Sequence, residues 1–467
     1  MKTFAAHCWL RLALLTSRAA LALLATSGIA NRAVAQSRTA SVPVTVGRAV
    51  VPLTGPWKFH VGDDTHWAEP NFDDSSWENV DLTPPPGAHD DDVGLSGFVP
   101  GWGARGHAGY AGYAWYRLHI SPNAPREMSL SLAGPPSVDN AYQIFLNGKR
   151  LGGSGDFTGA TPIAYSAQPR LFSLPTSLGD NRDAVLAFRV WMGAWSLGDP
   201  TAGGIHIAPV LGERSAVTAQ YKLQWLETFD GYIVEVVEAL LFLLLACMGM
   251  SLKLFDNSDR AYSWFAVALV LIALYRANQA FFFWAQLETV HEFELFIVVL
   301  LFPSIAGAWL MAWRSWFRLS SRAWLPKAVG VLTLTYMCAE FLSRSWFHGA
   351  FPHALVAAFS AVIVVVRLSL LALLALIVYD GIRERGREGC YALPALLAIA
   401  TGLFARELSY LHVRGIWFPF GTGVSRTQYA YAVFHVALAV LFVRRLRGYA
   451  RRDGDASFRA VTAGRSP

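Results

Sequence analysis

The stretch Ile233–Phe255, IVEVVEALLFLLLACMGMSLKLF, is a nearly unbroken apolar run that decides the fold class of this chain. Six further runs of similar length follow it, separated by short polar breaks. A helix needs roughly 20 apolar residues to cross the hydrocarbon core of a bilayer, which is about 30 Å thick. The sequence therefore predicts an all-α bundle of seven transmembrane helices at residues 221–443. The other six runs are Ala261–Trp284, Phe293–Trp313, Lys327–Ser345, Ala354–Asp380, Tyr391–Leu411 and Gln428–Val443.

Lys and Arg residues are concentrated in alternate breaks between these runs. The breaks Gln286–Glu292 and Phe347–His353 carry no Lys or Arg, and His412–Gln428 carries only Arg414 and Arg426. Cytoplasmic loops carry the excess of Lys and Arg, so the bundle is predicted to begin outside and to end in the cytoplasm. The short basic tail at residues 444–467 is expected to lie against anionic lipid of the inner leaflet. The cations of the predicted cytoplasmic side are Lys253, Arg260, Arg314, Arg318, Arg322, Lys327, Arg383, Arg385, Arg387, Arg444, Arg445, Arg447, Arg451 and Arg452.

The first 35 residues have the pattern of a secretory signal peptide. Early cations precede the apolar run Ala19–Ala30, and the small residues Ala33 and Ala35 stand before Gln36. Such a segment directs export and is then removed. The alternative, an eighth membrane helix, is disfavoured because Arg18 limits the apolar run to a short length. The segment after the signal peptide is therefore expected to be exported.

Residues 37–220 show the pattern of strands. Apolar residues alternate with period two, as in Trp57, Phe59 and Val61, and turn residues are frequent. This alternation is typical of half-buried strands. The pair Asn147-Gly148 predicts a tight hairpin, because both residues tolerate positive φ. The exported part is therefore predicted to be an all-β jelly-roll sandwich, and the whole chain a multi-domain membrane protein.

Three sequence blocks in this region resemble the galactose-binding-like jelly roll that opens the enzymes of glycoside hydrolase family 2. They occur in the order of that family and together cover most of the exported part. The resemblance implies a carbohydrate-binding fold. It brings no active site, since the carboxylates of those enzymes belong to a separate barrel domain for which there is no room before the helices. We therefore expect no enzymatic activity. The first block is Gly55–Phe59 with Trp67, Phe72–Trp77 and Val80, the second is Ala114–Arg117, and the third is the hairpin Tyr142–Gly148.

The glycine-rich segment Gly94–Tyr113 is the leading candidate for ligand contact. Aromatic faces with a few hydrogen-bonding groups suit sugar rings or other small molecules. A second glycine-rich stretch and a third loop supply further candidates. The alternative is that these side chains pack against the sandwich or the helix ends. The candidate ligand-binding residues are Trp102, Arg105, His107, Tyr110, Tyr113, Asp156 and Trp195.

The order of an exported β domain and seven helices resembles the bacterial seven-transmembrane receptors with diverse intracellular signalling modules. Leu252–Phe255, Asp259-Arg260 and Trp264–Ala266 resemble the first inner loop and second helix of that family. The resemblance implies a receptor of the bacterial inner membrane. The chain departs from the family after Val443, where too few residues remain for a kinase, cyclase or phosphatase. We therefore expect either that a separate cytoplasmic partner supplies the output or that the chain is a truncated relative of these receptors. A homodimer is compatible with this architecture.

Ionisable residues within the apolar runs are candidates for a switchable network or for static buried pairs, because such groups are costly in a membrane and face the bundle interior. Glu340 and Arg344 are spaced to pair along one helix face. Arg367 has no nearby acid in its own run and therefore requires a partner from another helix. Glu235 and Glu238 lie near the start of the first run. The candidate network is Arg276, Glu340, Arg344, Arg367, Arg406 and Glu407.

Several function classes are disfavoured by the sequence. The runs carry no central lysine for a retinal Schiff base, and no metal-ligand spacing or cofactor motif occurs. The net charge of +6 sits mostly on the predicted inner loops, so it indicates topology and gives no reason to expect nucleic acid. Two alternatives to a receptor remain. One is a membrane-anchored accessory protein that binds or helps to process carbohydrate, and the other is a transporter or its subunit.

Overall fold

The computed structural model describes residues 50–88, 96–122, 128–175, 183–194, 196, 200–257, 259–319, 322–344, 351–411 and 426–463. Side chains in the last helix are described up to Gly448. The predicted signal peptide and the candidate Trp195 lie outside these ranges, as does the side chain of Arg406.

The N-terminal part is a β-sandwich of short strands. A six-stranded sheet has the order β3-β2-β4-β10-β7-β8, a four-stranded sheet has the order β1-β12-β5-β9, and β11 pairs with β6. All the pairings are antiparallel. The strands are β1 (Val51–Pro52), β2 (Trp57–Val61), β3 (Glu78–Val80), β4 (Gly112–Ile120), β5 (Leu130–Ala133), β6 (Val138–Asp139), β7 (Ala141–Leu146), β8 (Lys149–Ser154), β9 (Leu171–Ser173), β10 (Ala184–Met192), β11 (Gly204–Ile205) and β12 (Val210–Glu213).

The apolar residues with period two form the core between the two large sheets. Trp57, Phe59, Tyr116 and Phe188 are almost completely buried there. The predicted hairpin joins β7 and β8, and Asn147 and Gly148 have φ values of 49° and 80°. Such positive φ values at both central positions fit the twist of a two-residue hairpin. The strand pattern and the hairpin are therefore confirmed.

A second cluster covers the opposite face of the six-stranded sheet. Trp67, Trp77 and Trp115 pack together there with Phe72 and Phe145. Because side chains alternate along β4, Tyr116 points to the central core and Trp115 to this outer face, so both faces of β4 are buried.

The buried ion pair Arg117–Asp74 lies under this aromatic cluster. Arg117 Nε donates to Asp74 Oδ2 at 2.7 Å, and the Arg117 guanidinium also donates to the backbone carbonyls of Trp67, Glu69 and Phe72. Arg117 is 0% exposed and Asp74 is 7% exposed. One guanidinium therefore fixes the loop between β2 and β3, which carries Trp67 and Phe72–Trp77 of the first sequence block.

The pair Asp139–His206 makes the stability of the sandwich dependent on pH. Asp139 Oδ2 lies 2.9 Å from His206 Nε2 and accepts from Gly203 N–H at 2.6 Å. Burial alone would raise the pKa of the Asp139 carboxyl, but the hydrogen bond and charge of His206 and the Gly203 hydrogen bond outweigh it and lower the pKa from its usual 3.8. A carboxyl group whose pKa is lower in the folded than in the unfolded state stabilises the fold when the pH is above the unfolded-state pKa. This stabilisation is lost as the pH falls through the folded-state pKa.

We therefore expect Asp139→Asn to weaken the sandwich at neutral pH and to flatten the acid side of its stability profile. The measurement is hydrogen exchange of the sandwich peptides in the full-length protein between neutral and acidic pH. Ser121 lies elsewhere in the sandwich, and Ser121→Ala serves as the control. An unchanged acid profile in Asp139→Asn would contradict this account.

The C-terminal part consists of helices, of which six are long and apolar enough to cross a membrane among the residues that the structure describes. Seven were predicted. Helices α1 to α5 and α9 supply the six, and α3 contains a π-helical stretch at Leu295–Leu301. The helices are α1 (Arg214–Leu252), α2 (Arg260–Ala285), α3 (Val290–Trp316), α4 (Leu325–Ser343), α5 (His353–Arg385), α6 (Arg387–Tyr391), α7 (Leu393–Leu403), α8 (Ala405–Tyr410) and α9 (Arg426–Ala463).

The sixth predicted span differs from the prediction because it is divided into α6, α7 and α8. Pro394 stands at the start of α7, where a residue without an N–H is tolerated. Phe404 ends α7 with φ −111° and ψ 27°, outside the helical region. The 11 residues of α7 extend about 16 Å, roughly half the thickness of a bilayer core. Apolar composition alone therefore overestimated the length of this helix.

The basic residues after the last apolar run also make contacts within the protein. Helix α9 continues past Val443 without interruption. Arg445 donates to Asp259 at 3.0 Å and lies 3.6 Å from the centre of the Trp316 ring, and Arg444 lies over Tyr391. These contacts hold α9 against neighbouring helices. The sequence had predicted only contact with lipid for these arginines.

Candidate functional site

Two of the predicted ligand-binding aromatics belong to the packing of the sandwich. Trp102 is 1% exposed, lies in the core between the sheets, and donates from Nε1 to Tyr110 O at 3.2 Å. Tyr110 donates from its hydroxyl to Tyr113 O at 2.6 Å. In this arrangement Trp102 has no surface to offer a ligand.

Arg105 and His107 lie nearer the surface of the same segment. Arg105 Nε donates to Pro100 O at 2.9 Å, and His107 Nε2 lies 3.1 Å from the Glu78 carboxylate. The His107 contact holds the segment against β3, whereas the Arg105 contact lies within the segment itself. The imidazole of His107 is 20% exposed, so one edge remains accessible.

Tyr113 lies against another side chain, Arg189. The Arg189 guanidinium lies 4.3 Å from the centre of the Tyr113 ring and 5.6 Å from that of Phe157, and it pairs with Asp63 at 2.5 Å. Asp156 accepts from Thr158 N–H at 2.9 Å within its own turn. The candidates therefore form separate groups, and ligand binding by this surface stays a prediction.

In the helical part, the candidate charges do form clusters. Arg276 on α2 lies between two carboxylates of α1, Glu235 at 3.1 Å and Glu238 at 2.8 Å. All three residues are buried. The guanidinium also lies over the rings of Tyr275 and Tyr431. Arg276 was predicted to belong to the network. Its position in the sequence could not identify Glu235 and Glu238 as its partners, because they lie on another helix.

A second cluster lies on α3 and α4. Arg344 pairs with Glu340, four residues earlier, at 2.6 Å and with Glu294 at 3.3 Å. The predicted pairing of Glu340 and Arg344 is confirmed. Glu294 was not among the predicted candidates, because it lies at the edge of its apolar run.

The third cluster lies around Arg367 on α5 and joins this helix to α4, α7 and α8. The Arg367 guanidinium makes a two-pronged pair with Glu407 on α8, with Nη2 donating to Oε2 at 2.5 Å and Nε to Oε1. Nη1 donates to the Tyr336 hydroxyl on α4 at 2.6 Å. The expectation that Arg367 takes its partner from another helix is confirmed.

The three clusters surround a cavity of about 330 Å³ among α2, α3, α4, α5, α7, α8 and α9. Its walls are mostly apolar and aromatic, with contributions from Ile272, Val298, Phe302, Leu370 and Phe404. Convergent polar groups in a largely apolar cavity are typical of small-molecule sites. The polar wall consists of Tyr275, Arg276, Tyr336, Glu340, Arg367, Thr427 and Tyr431.

The sandwich and the helices are also joined by side-chain contacts. A loop before β9 meets the end of α2: Ser166 Oγ donates to Phe282 O at 2.5 Å and Gln168 Nε2 to Phe283 O at 3.0 Å. Gln286 accepts from Arg170 Nη2 at 2.7 Å and donates to Ser166 O at 2.8 Å. A movement of this loop would therefore act on the end of α2, the helix that carries Arg276.

Comparisons with known proteins give only distant similarities. No family model and no curated protein matches the chain. A β-glucuronidase from glycoside hydrolase family 2 is 20% identical over 37% of this chain and 18% of its own, with a TM-score of 0.26. A Bacteroides uniformis β-glucuronidase is 22% identical over 36% of this chain and 18% of its own, with a TM-score of 0.25. The chain thus spans about a fifth of the length of these enzymes, and similarity this weak carries no argument about function.

Proposed function

We propose that this protein is a receptor-like sensor of a bacterial inner membrane. The β-sandwich lies outside, binds a small molecule or carbohydrate, and passes its state through the helices to a separate cytoplasmic partner. The loop charges support this orientation. The observation that carries the proposal is the double connection between the two parts, covalent through α1 and non-covalent at the end of α2.

The covalent connection is a single long helix. Helix α1 begins at Arg214, directly after β12, and continues to Leu252. Its first turns pack Val217 against the sandwich residues Ala133 and Val210. A continuous helix transmits rotation or displacement better than a flexible linker, so a change in the sandwich reaches the helical part directly.

The non-covalent connection centres on Gln286. This residue is the C-cap of α2 with φ 47°, and its side chain both accepts and donates hydrogen bonds to the sandwich loop. A ligand shifts a two-state equilibrium only by its difference in affinity for the two states. We propose that the two states differ in this contact, so that binding to the sandwich repositions the end of α2.

Replacing Gln286 by asparagine is expected to uncouple the two parts. Asparagine tolerates positive φ, but its shorter side chain cannot reach both Arg170 and Ser166. In full-length protein in nanodiscs, sugars and cell-wall fragments would first be screened by thermal shift. A binding compound should then change hydrogen exchange at residues 282–290. Gln286→Asn should retain binding and lose most of that change.

Gln220→Asn provides a matched control, because this glutamine of α1 makes none of the described hydrogen bonds to the sandwich loop. It should behave like the parent protein. Binding to the sandwich that leaves exchange in the helices unchanged would contradict a sensor. That outcome would favour the accessory carbohydrate-binding role instead.

A further inference from the structure

We infer that the outward face of α1 is an interface at which two copies of this chain associate as a parallel, twofold-symmetric pair. Such an assembly goes beyond the sensor role and does not rest on it. Four features of α1 support it: a continuous exposed face, a seven-residue repeat along that face, leucines exposed outside the bilayer, and charges that are complementary between two copies.

Helix α1 has a buried face and an exposed face along its whole length. Val217 packs against the sandwich. Tyr232 stacks on Phe283 of α2, and Phe242 contacts α9. The buried residues are Val217, Gln224, Thr228, Gly231, Tyr232, Glu235, Glu238, Ala239, Phe242, Leu245, Ala246, Gly249 and Leu252. They share one side of the helix, so the other side is available to a partner outside the chain.

The exposed side carries a stripe of residues at alternating spacings of four and three. This seven-residue repeat is the one by which two helices pack in a left-handed coiled coil. All the residues of the stripe are exposed except Ile233, which is partly buried. The α1 stripe consists of Ala219, Leu223, Leu226, Asp230, Ile233, Val237, Leu240, Leu244, Cys247 and Ser251. The repeat therefore suits a second helix lying along α1.

Contact with lipid does not account for the start of the stripe. Helix α1 has 39 residues and extends about 58 Å, roughly twice the thickness of a bilayer core. Phe229 stacks on Trp284 in the last turn of α2, and Leu226 and Leu223 lie about 4.5 and 9 Å further toward the sandwich. These two leucines are 59% and 48% exposed. Neighbouring leucines exposed outside the bilayer indicate a surface that another protein covers.

Lys222 and Glu227 favour a second copy of the same chain as the partner. They flank Leu223 and Leu226 in the sequence, and both are exposed. In a parallel coiled coil, the residue before one stripe position lies against the residue five positions later on the partner helix. Lys222 therefore meets Glu227 of the second copy, and the twofold axis produces this ion pair twice. Helix α1 is thus complementary in charge to itself.

Asp230 limits the strength of this association. It is the one acidic residue of the α1 stripe, and in a symmetric pair it lies near its own counterpart, where like charges repel. A polar residue at one such position fixes the register of a coiled coil at a cost in stability. We therefore expect a reversible dimer, which Asp230→Leu should strengthen.

Cys247 allows the geometry to be tested by cross-linking, because it belongs to the stripe and is an exposed free thiol. Copper phenanthroline applied to membranes that contain the full-length protein should join two copies through this residue. Cys247→Ser should lose the cross-linked dimer, although Cys338 is also exposed, and Cys338→Ser should retain it. In the Cys247→Ser background, Leu226→Cys should restore the product and Tyr221→Cys, on the opposite side of α1, should not.

Exchange of charges tests the identity of the partner. Sedimentation of purified full-length protein in detergent micelles gives the Kd of the dimer. Lys222→Glu should raise this Kd by about tenfold, since two ion pairs become two repulsive contacts. Combining Lys222→Glu with Glu227→Lys should restore the parent Kd. Lys149→Glu, at an exposed position of β8, is the control and should change nothing.

Three results would overturn the inference. The first is a protein that neither cross-links in membranes nor dimerises in micelles, which would leave the face of α1 to lipid. The second is a cross-linked dimer that persists in Cys247→Ser, which would place the interface on another helix. The third is a double charge variant that associates as weakly as Lys222→Glu alone.

Discussion

Replacing Arg117 by methionine is expected to lower the free energy of unfolding of the β-sandwich by about 3–5 kcal/mol, the range for removal of one partner of a buried ion pair. Among the described contacts, the change would leave the buried Asp74 carboxylate with the imidazole of His119, at 3.0 Å, as its side-chain partner. The carbonyls of Glu69 and Phe72 would each lose one donor as well, and Phe72 N–H would still donate to Glu69 O. Methionine fills part of the volume of the arginine side chain. The loss of stability should therefore come mainly from the missing ion pair and hydrogen bonds and less from a cavity.

The measurement for Arg117→Met is hydrogen exchange of the sandwich peptides in the full-length protein, since it separates the sandwich from the helices. Arg150→Met is the matched control, because Arg150 is an exposed residue on β8. Surface substitutions of this kind usually remain within about 0.5 kcal/mol. A loss in Arg117→Met no larger than in the control would show that the pair contributes little.

Removal of Arg367 is expected to have the second large effect. Arg367→Leu should destabilise the helical part by about 3 kcal/mol, since Glu407 would keep its charge in a poorly hydrated position. The Tyr336 hydroxyl and the Leu403 carbonyl would also lose a donor. Arg367 connects α4, α5, α7 and α8. Helices α7 and α8, which belong to the divided sixth segment, should therefore unfold before the others.

A double variant separates the cost of losing the pair from the cost of leaving the Glu407 carboxylate without Arg367. Arg367→Leu combined with Glu407→Leu should recover much of the stability, because apolar replacement of both partners of a buried pair is often neutral. The measurement is thermal unfolding of purified full-length protein. Arg383→Leu, at an exposed position of the same helix, is the control. A double variant no more stable than Arg367→Leu alone would contradict this account of the partly buried pair.

The local patterns of the sequence predicted the local structure well. Period-two alternation identified β2, β4, β7 and β10, and the Asn147-Gly148 pair identified a hairpin. Apolar length identified six helices that can cross a membrane. These features depend on residues within one element, where side-chain direction follows directly from the repeat of a strand or a helix. The pairing of Glu340 with Arg344 could be predicted for the same reason, because the two residues are four positions apart in the sequence.

The division of the sixth segment could not be predicted from apolar length. The composition of Tyr391–Leu411 resembles that of a spanning helix, but the ends of α7 and α8 are placed where Arg367 reaches Glu407 and Leu403 O. Those contacts connect residues about 40 positions apart. The apolar composition of a segment does not indicate such partners.

The sequence by itself therefore determined a β-rich segment followed by apolar helices, and it identified Arg276, Glu340, Arg344, Arg367 and Glu407 as unusual. Only the tertiary structure decided which of them meet. It placed Glu235 and Glu238 at Arg276, Glu294 at Arg344, and Asp74 under Arg117, and it enclosed a cavity between the charged clusters. The physical reason is that a buried charge requires a partner, but the partner is set by how the helices and strands pack and not by distance along the chain.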